Sequence, residues 1–106
     1  APRRGGPLMP DLTVISWRDI PAQVVAGAGR GAAKAVLADR FQVAIDLAAT
    51  RAGLTDTDAY LEQWRRSSRP CGEDLRAEVD AEVARLEEVY GDDALRALVE
   101  AGGVAS

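Results

Sequence analysis

Residues 12–26, LTVISWRDIPAQVVA, decide the fold class. Leu12, Val14 and Ser16 alternate with Thr13, Ile15 and Trp17 in a stretch dense in β-branched side chains, the period of two expected of a strand. Asp19-Ile20-Pro21 then turns the chain, because proline fixes its own φ and pushes the preceding residue out of the helical region. Ala22 to Ala26 carries Val24 and Val25 as a short second strand, so a hairpin is predicted. Proline cannot donate to a ladder, which places the strand after Pro21 at a sheet edge.

The stretch before the hairpin, APRRGGPLMP over residues 1–10, has proline, glycine and arginine without apolar periodicity and reads as a flexible arm. After the hairpin, Gly27-Ala28-Gly29-Arg30-Gly31 is a loop. Residues 33–38, AKAVLA, suit helix by their alanines and strand by Val36 and Leu37. Asp39 with Gln42 three residues on forms a capping-box pattern, and a helix that starts there leaves 33–38 as a third strand. Phe41, Ala44, Ile45, Ala48, Ala49 and Ala52 then recur at helical spacing until Gly53, predicting a helix over 40–52. A second helix over 56–66 is capped by Thr55, a third spans 73–90 with Leu75, Val79, Val83 and Leu86 inward, and a fourth runs from Asp92 to 101. Residues 67–72, SSRPCG, read as a linker, and 103–106 as a tail. Strands first and helices afterwards indicate a single α+β domain over 11–102: a small antiparallel or mixed sheet of about three strands, covered on one face. Phe41, Ile45, Leu61, Leu75, Val79, Val83 and Leu86 are the expected core, joined by both tryptophans.

A chain of 106 residues has room for one core, and no apolar run approaches the ~20 residues of a membrane span. There is no histidine and Cys71 is the sole cysteine, so a disulfide framework, an all-protein zinc site, a Ser-His-Asp triad and a Cys-His dyad are excluded by inventory. No cofactor and no metal site is expected. The fragment Gly27-x-Gly29-x-x-Ala32 matches part of a dinucleotide fingerprint, but the chain is too short for the sheet that fingerprint serves, and a hairpin connection is the preferred reading. Residues 1–10 lack the apolar core of a leader, and one unpaired cysteine suits a reducing compartment, so a cytoplasmic bacterial protein is expected.

The net charge of −4 argues against a nucleic-acid partner. The charge is unevenly spread. Up to Arg69 there are ten basic side chains and seven acidic, and from Pro70 onward three basic and ten acidic. An acidic helical pair lying against a basic N-terminal layer accounts for this, and the alternative is a basic layer, notably Arg65, Arg66 and Arg69, that meets an acidic partner or anion. Tryptophan and arginine are the side chains most enriched at interface hot spots. Trp17, Arg18, Asp19 and Gln23 at the hairpin turn, Arg30 and Lys34 around the glycine loop, and Trp64 and Arg65 on the second helix are therefore the candidate contact residues for a partner or ligand.

Three stretches carry a further signal: TVISWRDIPAQVVAG (13–27), ADRFQVAIDLAATRAG (38–53) and TDTDAYLEQWRR (55–66). Together with Arg30 and Lys34 they resemble the small bacterial family labelled virulence factor, across roughly residues 11–102. That label describes a phenotype and implies no chemistry. The resemblance implies an accessory subunit in one-carbon metabolism, since such proteins are often encoded near tetrahydrofolate-linked and corrinoid methyl-transfer proteins. The resulting expectation is a non-catalytic binding module docking on a larger protein, with homo-oligomers open and no membrane contact. A small-anion or cofactor-binding protein using Arg18, Arg30, Lys34 and Arg65 is the alternative, and an enzyme resting on Asp19, Lys34 or Tyr60 is a third reading.

Overall fold

A computed structural model describes residues 9–105. The arm expected over 1–10 lies outside the described residues except for Met9 and Pro10. The domain is α+β: strands β1 (Asp11–Trp17), β2 (Ile20–Ala26) and β3 (Ala33–Val36), helices α1 (Asp39–Ala52) and α2 (Thr57–Leu61), strand β4 (Trp64–Pro70), and helices α3 (Leu75–Val89) and α4 (Asp92–Glu100). The sheet is antiparallel with four strands in the order β3-β2-β1-β4.

The β1–β2 hairpin and the third strand are as predicted, but two placements differ. β2 is an interior strand, not an edge. Pro21 is tolerated there because it pairs with Ser16 at an irregularity between Ile15 and Ser16, where the ladder is already broken. The larger difference is residues 64–70, expected as a helix end and a linker. They form a seven-residue strand in unbroken register with β1, from Trp17 opposite Trp64 to Asp11 opposite Pro70. Without it β1 would present a bare edge. The alternation of Trp64, Arg66 and Ser68 with Arg65, Ser67 and Arg69 is the local trace of that strand, and the Thr13 and Ser68 hydroxyls bond across it at 2.8 Å.

α2 consequently stops at Leu61, which is 56% exposed and outside the core. Two helix starts also shift, α2 by one residue and α3 by two. Asp56, rather than Thr55, caps α2 by accepting from the Ala59 N–H, and Asp74 caps α3 by accepting from Ala77. α1 has no local side-chain cap, so the capping box expected at Asp39 does not form; Asp39 is already helical, and the Ala38 N–H donates to Glu87 of α3 at 2.9 Å.

The helix-facing side of the sheet is covered by α3, which packs on β2 and β3, while α4 packs on α1. Phe41, Ile45, Val79 and Leu86 are buried as expected, together with Leu12, Trp17, Ile20, Val24, Leu95 and Leu98; Leu75, Val83 and Trp64 are half-buried at the margin. The charge asymmetry is partly resolved within the fold, since Arg69–Glu82 and Arg40–Asp92 join the basic layer to the acidic helices.

Candidate functional site

The turn between β1 and β2 consists of Arg18 and Asp19. Arg18 has φ +51°, a left-handed conformation that costs a non-glycine residue about 1 kcal/mol and persists only when its surroundings hold it. They do so at several points. The Arg18 N–H donates to the Gln63 carbonyl at 2.9 Å, Nε donates to Gln63 Oε1 at 3.0 Å, and Nη1 donates to the Gly102 carbonyl at 3.0 Å. Trp17 is fully buried, its indole N–H donates to the Tyr60 carbonyl at 2.9 Å, and the two rings stack at 5.6 Å. Gly103 lies so close that a Cβ there would come within 2.9 Å of the Trp17 ring. The Asp19 carboxylate accepts from the Ala105 N–H at 2.7 Å. Trp17 and Arg18 thus tie the hairpin turn to the α2–β4 connection and to residues 102–105, and the Trp17 side chain presents no surface to a partner.

The open face of the sheet lies on the other side from α3. Side chains alternate across strands, so Leu12 and Val24 face α3 while Ile15 and Thr13 on β1, Gln23 and Val25 on β2, Lys34 and Val36 on β3, and Trp64, Arg66 and Ser68 on β4 share the opposite face. Val36 is 76% exposed. A cavity of about 260 Å³ opens here, lined by Ile15, Ala22, Gln23, Val36, Leu37, Gln42 and Trp64. The Trp64 ring is held edge-on against Tyr60 at 6.1 Å, so the Trp17–Tyr60 stack supports the half-buried Trp64. Of the candidate residues, Gln23, Lys34 and Trp64 meet on this face.

The others do not join them. Arg65 alternates to the helix side and forms an ion pair with Asp19 at 3.7 Å, and Arg30 is exposed in the short 3₁₀ turn between β2 and β3. Lys34 and Arg65 stand on strands at opposite edges of the sheet, three strand spacings or about 14 Å apart, and on opposite faces. Arg18, Arg30, Lys34 and Arg65 therefore do not converge on one anion. The glycine loop joins two antiparallel strands, which is a hairpin connection and not the strand-to-helix turn of a dinucleotide fold.

The family model described as Virulence factor matches residues 15–99, from the middle of β1 to the last turn of α4. The chain belongs to the virulence factor family. No curated protein and no solved structure matches it. The region that defines family membership contains both Trp-Arg pairs, and so both the buried turn and the open face.

Sequence reasoning missed Ile15, Val36 and Gln42 as members of this face and named Arg66 only as part of a basic layer with Arg65 and Arg69. Alternation within β1 was a usable signal for Ile15, whereas Arg66 became legible only once β4 was known to be a strand. Two titratable groups are perturbed. Burial pushes the Cys71 thiol up, aided by the nearby Glu78 carboxylate, which keeps it a protonated core side chain at neutral pH. Glu82 on α3 is buried, and the hydrogen bonds from Arg85, at 2.6 and 3.1 Å, hold its carboxyl below the usual range with help from Arg69. Among the described residues no group of three or more acidic, cysteine or histidine side chains is placed to hold a metal, and no helix is long and apolar enough to cross a membrane.

Proposed function

We propose that this chain is a non-catalytic binding module, an accessory subunit that docks on a larger protein through the open face of its sheet. The supporting observation is an apolar centre of Trp64, Ile15 and Val36 ringed by Gln23, Lys34 and Arg66, on the side of the sheet away from α3 and bordered by Gln42 of α1. An aromatic anchor beside a shallow cavity with a polar rim is the arrangement in which a few side chains carry most of the binding energy. Asp11, at the rim, is the single acidic residue among the strand positions of this face, although the chain as a whole carries a net charge of −4. A partner with an acidic border around an apolar patch fits that pattern. Tetrahydrofolate- and corrinoid-linked one-carbon enzymes, the class implied by the family resemblance, are the first partners to try.

The test is purification of the tagged full chain from its native source, followed by reconstitution with the co-purifying enzyme and measurement of the Kd. Trp64→Ala and Val36→Ser should each weaken the complex by roughly tenfold or more, as truncations at an interface centre do. A complex unaffected by either substitution would place the interface elsewhere, and a chain that only self-associates would replace the heteromeric partner with a second copy.

A further inference from the structure

Behind β4, on the helix side of the sheet, a second cleft runs between the β1–β4 pair and the C-terminal end of α3. Its outer part has a volume of about 490 Å³ and is bordered by Arg65, Ser67, Ser16 and Tyr90. An adjoining part of about 300 Å³ shares Ser16, Ser67 and Tyr90 and is floored by Leu12, Val14 and Leu86. Cross-strand register brings the polar group together: Ser16 lies opposite Arg65 and Val14 opposite Ser67, all on one face, and Tyr90 caps α3 above them.

The hydrogen-bond inventory of this cleft is weighted toward donors. Among the described residues the Ser16, Ser67 and Tyr90 hydroxyls make no hydrogen bond to protein. Arg65 is tied only to Asp19 at 3.7 Å, beyond hydrogen-bond distance, and its side chain is 57% exposed. Both carboxylates that border the cleft are already engaged, Asp19 by the Ala105 N–H and Glu82 by Arg85 and Arg69. Arg85 spends Nε and Nη2 on Glu82 and keeps Nη1 free of it. A guanidinium cannot accept, so a ligand here must supply oxygen acceptors to Arg65, while the leucine and valine floor accommodates carbon.

We infer that this cleft binds a small organic anion, with its phosphate or carboxylate group held by Arg65 and the hydroxyls of Ser16, Ser67 and Tyr90 and its carbon body lying over Val14 and Leu86. The site is independent of the docking face, from which the sheet itself separates it. Of the basic set expected from the sequence it contains Arg65 and, at its border, Arg18, whose Nε and Nη1 are already held by Gln63 and Gly102, and it contains neither Arg30 nor Lys34.

Calorimetric titration of the full chain at low salt with inorganic pyrophosphate and, separately, with glutarate distinguishes the phosphate from the carboxylate form of the ligand. Saturable binding of either probe is expected. Arg65→Gln should weaken it by about tenfold and Tyr90→Phe by several-fold, in line with the loss of a charge-assisted and a neutral hydrogen bond. Tyr90→Phe keeps the ring that packs edge-on against Phe41 at 6.3 Å, so its fold is preserved. Arg30→Gln, remote from the cleft, should leave binding unchanged. Absence of saturable binding to both probes would overturn the proposal, as would equal weakening by Arg30→Gln and Arg65→Gln, which would indicate diffuse charge rather than a site.

Discussion

The chain contains two Trp-Arg pairs, Trp17-Arg18 and Trp64-Arg65, and the sheet places their tryptophans directly opposite one another. Their fates differ. Trp17 is sealed beneath Tyr60 and Gly103 and Arg18 is bonded on both sides, whereas Trp64 is half-buried beside a cavity and Arg65 has one weak ion pair. Composition is the same, so residue type alone does not say whether an aromatic-cationic pair holds the fold or faces a partner. What separates them is the position in the sheet. The first pair sits at a turn enclosed by the C-terminal residues, and the second starts an edge strand with solvent on two sides.

Three substitution series sharpen or break this contrast, beginning with the largest effect. Trp17→Ala should cost about 3–5 kcal/mol in urea unfolding, because it empties a large, fully enclosed volume. Trp64→Ala should cost less, about 2–3 kcal/mol, since the half-buried ring packs on Tyr60 but its removal leaves a space open to solvent. Equal losses would erase the distinction between a structural and a presented tryptophan.

Next is Arg18. Arg18→Ala should destabilise by about 1–3 kcal/mol through the loss of two side-chain hydrogen bonds that join distant segments. Arg18→Gly loses the same bonds but adopts φ +51° without strain, so it should be the milder change by several tenths of a kcal/mol to about 1 kcal/mol. Arg65→Ala should stay within about 0.5 kcal/mol of the parent, as exposed ion pairs contribute little. Should Arg18→Ala prove as benign as Arg65→Ala in thermal melts, the turn is not locked by its side chain.

The smallest effect concerns pH. Glu82 is held below its ordinary pKa, so its contribution is present above the ordinary carboxylate range and fades as pH falls through the lower folded value. Through Arg69 it ties β4 to α3. Acid titration followed by amide exchange should therefore loosen β4 before the Trp17 turn, and Glu82→Gln should flatten that acid limb. Simultaneous opening of both regions would show that the two Trp-Arg pairs belong to one cooperative unit.

Much of this was readable in advance where the information is local. Alternation in residues 12–17 marks β1, and the apolar spacing of Phe41, Ala44, Ile45, Ala48 and Ala49 marks the buried stripe of α1. The same reasoning failed for residues 64–70, where arginine and serine have no strong preference and the segment follows a genuine helical turn. It also counted Trp17 as a contact residue, since a sequence shows a conspicuous residue type but not the Tyr60 and Gly103 atoms that enclose it.

By itself the sequence determined the α+β class, the order of strands before helices, the inward faces of α1, α3 and α4, and the absence of histidine-based chemistry, because each depends on inventory or on periodicity within some fifteen residues. Tertiary structure alone decided that β4 exists, that Glu87 caps α1 from another helix, that one tryptophan is sealed in the core and its neighbour across the sheet is half-buried at the margin, and that the four basic residues expected to share an anion are spread over two faces. Strand pairing is a contact between residues about fifty positions apart, and its energy lies in the partner's backbone, which no local pattern in residues 64–70 encodes.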